Sequence, residues 1–99
     1  MNRAELISRV ALNTGLTKKE AERVLVATSN AIAEALEDGE DVSIFGFGSF
    51  VIKERPARVG HNPQTGKSID LPAVRFPMFK SGKMLKDAVT RGSQRDSEE

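Results

Sequence analysis

The segment that most constrains the fold of this chain runs from residue 55 to residue 67, with the sequence RPARVGHNPQTGK. It is basic, rich in turn-forming residues and almost free of large apolar side chains, yet it lies between two runs that alternate like β-strands. A hairpin with so little apolar surface cannot pack onto the core of its own chain. It must project outward, and its arginines predict that it reaches toward a polyanion.

Length and composition predict one small domain with a limited core. The chain has 99 residues, 38% of them hydrophobic, and its five aromatic residues are all phenylalanine. Because one protomer would bury little apolar surface, we expect two protomers to share a core. The chain has no cysteine, which excludes a disulfide framework and a thiolate metal site and fits a reducing cytosol. It shows no secretory signal and no apolar run near the roughly 20 residues that span a bilayer.

The net charge of +1 conceals an uneven distribution of charged residues. Residues 1–52 carry five basic and eight acidic side chains, whereas residues 53–90 carry eight basic and only three acidic ones. Residues 91–99 carry two basic and three acidic side chains. An asymmetry of this kind indicates a nucleic acid or an anionic surface as partner, although lysines and arginines can also serve only to solubilise an exposed face.

The first part of the chain predicts two helices joined by a tight connection. The first helix is expected over about residues 3–13, with Asn2 as its N-cap. The second begins at a capping box in residues 17–20 and continues for about 21 residues until Gly39. Together they form an αα-hairpin that is rich in small residues on its apolar stripe.

From residue 41 the hydrophobic period changes from 3.6 to 2, which predicts strands. Two strands flank the Phe45-Gly46-Phe47-Gly48 segment, and the second strand continues into the basic hairpin and returns by residue 76. Pro72 and Pro77 allow only edge or end positions in a ladder, as in an exposed two-stranded ribbon. A short helix capped by Ser81 is expected to follow over residues 81–89, and residues 91–99 are expected to be a disordered polar tail.

Nothing in the sequence predicts catalysis, a metal site or a cofactor. His61 is the only histidine and has no cysteine or carboxylate cluster around it in sequence. Gly66-Lys67-Ser68 ends like a phosphate-binding loop, but the upstream glycine of that motif would have to stand at residue 61. We therefore expect a protein that is not an enzyme.

The basic hairpin has the composition of a DNA-binding arm. Lys53 and Arg55 alternate along an extended strand and therefore face the same side. Pro63 would place a compact apolar ring near the turn, where it could wedge between base pairs. Asn-Pro pairs more often serve only to shape a turn, so the residues alone favour that role for Pro63 and leave the wedge open.

Three stretches of the sequence resemble one known family. They are GFGSF at residues 46–50, RVGHNPQTGK at residues 58–67 and FKSGKMLK at residues 79–86. They are similar to the bacterial histone-like HU and integration host factor family, and the likeness extends over residues 1–90. It implies an α+β fold and an intertwined dimer, in which a helical base supports a three-stranded β-saddle and two ribbon arms, at about residues 53–76, that embrace the minor groove.

The resemblance also implies roles for individual residues. Pro63 would be the intercalating residue, and the dimer core would contain Phe47, Phe50 and Phe79. The residues implied in DNA binding are Lys53, Arg55, Arg58, His61, Asn62, Pro63, Gln64, Lys67, Arg75, Lys80, Lys83 and Lys86.

The sequence departs from the family pattern at three positions. His61 stands where the family usually has arginine, so one fixed charge in each arm becomes dependent on pH. Val59 stands where lysine is common, which removes another charge. Ser29 replaces a frequent bulky aromatic residue, which affects the packing expected in the dimer.

These observations predict a DNA-bending protein of the bacterial nucleoid, located in the cytoplasm, with little sequence preference and a homodimeric assembly. A site-specific bending factor resembling integration host factor, possibly one half of a heterodimer, is the closest alternative. A module whose arm grips an acidic protein is a more distant one, and a phosphate-binding enzyme is the least favoured.

Overall fold

The computed structural model describes the backbone of residues 1–97 and the side chains of residues 1–94. A helical hairpin leads into a three-stranded sheet, a two-stranded ribbon and a C-terminal helix, so the predicted α+β class is confirmed. In chain order the elements are α1 (Arg3–Thr14), α2 (Lys18–Glu37), β1 (Val42–Ile44), β2 (Gly48–Arg55), β3 (Arg58–His61), β4 (Ser68–Leu71), β5 (Val74–Ser81) and α3 (Lys83–Ser97).

Local side-chain hydrogen bonds define the ends of the first two helices. The N–H of Glu5 donates to Oδ1 of Asn2 over 2.9 Å at the start of α1, and Gly15 ends that helix with φ at 77°. At the start of α2 the N–H of Glu20 donates to the Thr17 hydroxyl, and the N–H of Thr17 donates to the Glu20 carboxylate, each over 3.1 Å. Both predicted N-caps are confirmed. The sequence could predict them because each cap depends only on residues three positions apart.

The core of a single protomer is very small. Within the described side chains, the buried hydrophobic residues are Ile7, Ala11 and Ala21, between α1 and α2, with Val10 and Leu25 packed against them. The Cα radius of gyration is 19.7 Å, whereas a compact chain of this length has about 13 Å. One protomer is therefore an elongated body that leaves much apolar surface uncovered.

The main sheet is antiparallel, with strand order β1-β2-β5. Pro77 lies within β5, an edge strand of the protomer, opposite Ile52. This position agrees with the sequence prediction, because an edge strand tolerates a residue that lacks an N–H donor. Immediately before β1 begins, the N–H of Ile52 donates to Oδ1 of Asp41 over 3.0 Å, so a side chain extends the ladder by one hydrogen bond at the start of the strand.

Two glycines bring the aromatic residues together at the β1–β2 turn. The turn closes through a 3.0 Å hydrogen bond from the N–H of Phe47 to the carbonyl of Ile44, with Gly46 at φ 81°. A Cβ at Gly48 would lie 2.6 Å from Cζ of Phe79, so only glycine fits there. The close approach lets the Phe47 and Phe79 rings meet edge to face, with centroids 5.2 Å apart.

The arm consists of two separate ladders. Its stem is the far end of the β2–β5 pair, which reaches Arg55 opposite Val74. The outer part is the β3–β4 ribbon, which forms its own two-stranded sheet. Residues 56–57 and 72–73 interrupt the pairing between them, and each interruption contains a proline that cannot donate to a ladder.

The C-terminal helix differs from its predicted form. It continues from Lys83 to Ser97, so residues 91–97, expected to be a disordered polar tail, are helical, whereas residues 98–99 lie outside the described part. No proline follows residue 89, and Gly92 alone weakens a helix by only about 1 kcal/mol. The predicted cap is also displaced, because Ser81 ends β5. The carbonyl of Gly82 instead accepts the first helical hydrogen bond, from Lys86, over 3.1 Å.

Removing the Glu20 carboxylate is predicted to destabilise the protein in a pH-dependent way. The hydrogen bond from the Thr17 backbone, with a smaller contribution from the Thr17 side chain, lowers the pKa of the Glu20 carboxyl. A lowered pKa in the folded state means that the stabilisation is present above the ordinary pKa of glutamate and is lost as the pH falls through the lowered pKa. Thermal melting of Glu20→Ala should therefore differ most from wild type near neutral pH. Glu34→Ala, which alters an exposed glutamate of the same helix, is the control, and an equal Glu20→Ala effect at pH 3 and pH 7 would contradict the prediction.

Candidate nucleic-acid interface

The strand register divides the side chains of the main sheet between two faces. Ile52 and Pro77 face α2, since together with Ala33 and Leu36 they line an open cavity of about 380 Å³ between helix and sheet. The side chains at the alternate positions of these strands point away from the helices. We call this outer side the saddle face, and it consists of Ser43, Ser49, Val51, Lys53, Arg55, Val74, Phe76, Met78 and Lys80.

The three phenylalanines assigned to a dimer core lie together on the helix side of the sheet. The rings of Phe50 and Phe79 are 4.9 Å apart, and Phe47 contacts Phe79 from the adjoining turn. In the protomer, however, the side chains of Phe47 and Phe79 keep 41% and 39% of their accessible surface. An aromatic cluster that is this exposed is incompletely covered by its own chain.

The structure brings three of the predicted basic residues together on the saddle face. Lys53, Arg55 and Lys80 share this face because of the β2–β5 register. The Arg55 guanidinium carbon lies 5.6 Å from the centroid of the Phe76 ring, a cation–π contact that positions the charge. Arg75 does not join them, because it has the opposite parity and lies near Gly39 at the end of α2.

Sequence reasoning did not identify the serine pair at the middle of the saddle face. Ser43 on β1 and Ser49 on β2 stand opposite each other, and the Ser49 hydroxyl donates to the Ser43 hydroxyl over 3.2 Å. The sequence did carry a signal for them, because each serine alternates with apolar neighbours and such alternation places it on the solvent side of a strand. The pair places small hydrogen-bonding groups beside the basic side chains, where a polyanion could approach closely.

The outer ribbon also has two distinct faces. Arg58, Gly60, Ile69 and Leu71 lie on one face, and a Cβ at Gly60 would come within 3.0 Å of Cδ1 of Leu71. The other face carries Val59, His61, Ser68 and Asp70. Arg58 and His61, both implied in DNA binding by the family resemblance, therefore point to opposite sides of the ribbon.

The tip of the arm is a closed turn with an exposed proline. The N–H of Asn62 donates to the carbonyl of Lys67 over 2.9 Å, and the N–H of Gly66 donates to the carbonyl of Asn62 over 2.7 Å. Oδ1 of Asn62 accepts from the N–H of Gln64 over 2.9 Å, and Gly66 has φ at 73°. Asn62 thus shapes the turn, as Asx turns do, while the Pro63 ring remains exposed at the apex.

The remaining predicted basic residues lie at the two ends of the arm and body. Lys67 is exposed where the tip turn joins β4. Lys83 and Lys86 are exposed one helical turn apart at the start of α3, so they project from the same side of that helix. The predicted site is therefore distributed over the saddle face, the ribbon and one helix end.

Within residues 1–97, no helix is long and apolar enough to cross a membrane. The same described residues contain no group of three or more histidine, cysteine, aspartate and glutamate side chains that could hold a metal ion.

Comparison with known proteins assigns the family. The profile of the family described as bacterial DNA-binding protein matches residues 1–90. The chain belongs to this family. The DNA-binding protein HU of Geobacillus stearothermophilus is 51% identical over 89 residues, which cover 90% of this chain and 99% of the relative. HU of Staphylococcus aureus strain COL is 53% identical with the same coverage.

Solved structures of HU have the same fold. One chain of an Anabaena HU–DNA cocrystal structure superimposes with a TM-score of 0.82 at 44% identity, over 90% of this chain and 97% of that one. HU from Thermotoga maritima gives a TM-score of 0.62 at 37% identity, over 90% of this chain and 98% of that one. The family predicted from the sequence is confirmed. These relatives also favour an HU-type protein over the site-specific alternative.

Proposed function

We propose that two copies of this chain form a homodimer that binds duplex DNA through the minor groove and bends it with little sequence preference. The observation that carries the proposal is the projecting ribbon, which extends from a basic saddle face and ends in an exposed proline. Lysine and arginine side chains provide contacts to phosphates, which position a protein on DNA without reading sequence. Bending then favours DNA that is easily deformed.

The homodimer is supported by the apolar surface that the protomer leaves open. The open cavity between α2 and the sheet is lined mainly by apolar side chains, and the aromatic cluster beside it is exposed. Exposed apolar surface of this extent marks an interaction site. A second copy supplies the missing cover symmetrically, because an isologous interface uses the same patch on both subunits.

Truncation of Phe47 is predicted to weaken the dimer. Phe47→Ala removes an edge-to-face contact with Phe79 and a side chain that is exposed in the protomer. The melting temperature of a dimer that folds on association rises with protein concentration. We expect Phe47→Ala to melt at a lower temperature at every concentration and to show a lower mass in light scattering on dilution.

The matched control for this experiment is Val59→Ala. Val59 is also an exposed apolar residue, at 62% of its accessible surface, but it lies on the ribbon away from the body. This variant should keep the wild-type mass and melting behaviour. A wild-type protein whose melting temperature does not change with concentration, and whose mass is that of a monomer, would contradict the dimer.

The two faces of the main sheet, the saddle face and the inner face next to the helices, are predicted to contribute unequally to DNA binding. A contact between a cation and a phosphate changes the slope of log affinity against log salt by about 0.9. Lys53→Ala removes one such contact from each protomer, so the slope for the dimer should fall by about 1.8. Arg75→Ala removes the same charge from the opposite face, next to α2, and should change the slope less.

A gel-shift titration at several salt concentrations measures both slopes. Equal slopes for the two variants would show that the division between the faces does not control DNA contact. A wild-type affinity that is independent of salt would contradict DNA binding through phosphates altogether.

Pro63 is predicted to act as a wedge between base pairs. Its ring is exposed at the apex of a turn that the backbone bonds of Asn62 hold closed, so the turn should survive its replacement. Wedging apolar side chains unstack base steps and kink the duplex. Pro63→Ala should therefore reduce the bend by more than it reduces affinity, as measured by fluorescence energy transfer between dyes at the two duplex ends. Thr65→Ser, which keeps the hydroxyl that accepts from the N–H of Lys67 at the same tip, is the control. Equal bends for Pro63→Ala and wild type would rule out the wedge.

The family and the architecture also support a place of action and a lack of catalysis. A protein that binds DNA through phosphates and deformation acts where the bacterial chromosome lies, which is the nucleoid in the cytoplasm. Its work is architectural, since wrapping and bending DNA require binding free energy and no bond cleavage. No cofactor is needed for this function.

A further inference from the structure

His61 occupies a particular electrostatic position on the outer ribbon. It forms the last pair of the β3–β4 ladder, opposite Ser68, immediately before the tip turn. Asp70 lies diagonally across from it on the same face, opposite Val59. Both His61 and Asp70 are exposed. Diagonal neighbours in an antiparallel pair are about 7–8 Å apart at Cα, which is within reach of long or aromatic side chains.

The charged side chains that the ribbon places around His61 are Arg58 on β3, Asp70 on β4 and Lys67 in the tip turn. On its own face the ribbon carries one fixed negative charge, Asp70, and no lysine or arginine. Arg58 points to the opposite face, and Lys67 lies beyond Ser68 at the end of the ladder. With a neutral imidazole this face has a net negative charge, which repels phosphates. An imidazolium cancels that net charge and offers two N–H donors to a phosphate.

Histidine is the residue type that ordinarily changes its charge between about pH 5 and pH 8, whereas lysine, arginine and carboxylate side chains ordinarily keep theirs over that range. His61 is the only histidine of the chain, which has no cysteine. One face of each arm therefore contains a single residue of the type that ordinarily changes charge near neutral pH. In a dimer the change amounts to two charges.

We propose that protonation of His61 controls how tightly the arm holds the DNA backbone, so that DNA affinity rises as the pH falls from about 8 to about 6. The inference rests on the proposed function, because it assumes that the ribbon contacts phosphates. Asp70 acts as the opposing charge, which weakens binding when His61 is neutral. His61 is thus a residue that sets the affinity of the arm, and Val59, opposite Asp70, supplies no fixed positive charge to offset it.

The test compares wild type with His61→Gln and His61→Arg in salt titrations of duplex binding at pH 8 and pH 6. We expect wild type to bind about three- to tenfold more tightly at pH 6, as two exposed ion pairs allow. Its salt slope should become steeper by about 1.8, which is two phosphate contacts. His61→Gln should lose this gain, and His61→Arg should bind tightly at both values. His61→Gln also measures any pH response that arises elsewhere in the protein.

A second variant tests the opposing charge. Asp70→Asn should raise the affinity at pH 8, where wild type is weakest, without changing the fold of an exposed ribbon position. An equal pH response in wild type and His61→Gln, with both proteins still bound to DNA, would overturn the inference and leave the proposed function intact. Absence of DNA binding at both pH values would instead contradict the proposed function and this inference with it.

Discussion

The pairing of β2 with β5 is the constraint on which the rest of the molecule depends. The ladder runs from Gly48 opposite Ser81 to Arg55 opposite Val74, and its parity assigns every side chain to a face. Phe50 and Phe79 are thereby directed toward the helices, and Lys53 and Lys80 away from them. A slip of one residue would exchange the two sets. The ladder is fixed at one end by Gly48, where only glycine allows the Phe79 ring to pack, and along β5 by Pro77, which an interior strand would exclude.

The two prolines at the base of the outer ribbon make the arm a second, independent unit of pairing. Pro56 and Pro72 stand in the two interruptions of the ladder, so the β3–β4 register is set by the tip turn and not by the main sheet. The bonds of Asn62 close that turn and determine which residues share a face of the ribbon. Arg58 and His61 lie on opposite faces because they are three positions apart on one strand, whose side chains alternate between the two faces.

The parts of the fold that depend on near neighbours in sequence could be predicted, and the parts that depend on distant pairing could not. The N-caps of α1 and α2 were predicted because a cap is a contact between residues three apart. The position of Arg75 on the inner face could not be read from its surroundings, since it follows from pairing with Glu54, 21 positions earlier. The length of α3 was underestimated because a polar segment with no breaker is compatible with either helix or coil. Family resemblance named the basic residues, but only the register shows which of them lie on one surface.

The arrangement of the two sheet faces makes dimer formation and DNA binding compatible. The aromatic cluster and the cavity beside α2 lie on the inner face of the sheet, where we propose that the second protomer covers them. Lys53 and Lys80 lie on the outer face. Association therefore leaves accessible the charges that we propose to contact DNA, and it doubles their number in one particle. The same duplication applies to each arm, so a change of one charge at a ribbon position acts twice on every bound duplex. A weak electrostatic term in the protomer thereby becomes a measurable change in affinity, because paired contacts add in free energy and multiply in the binding constant.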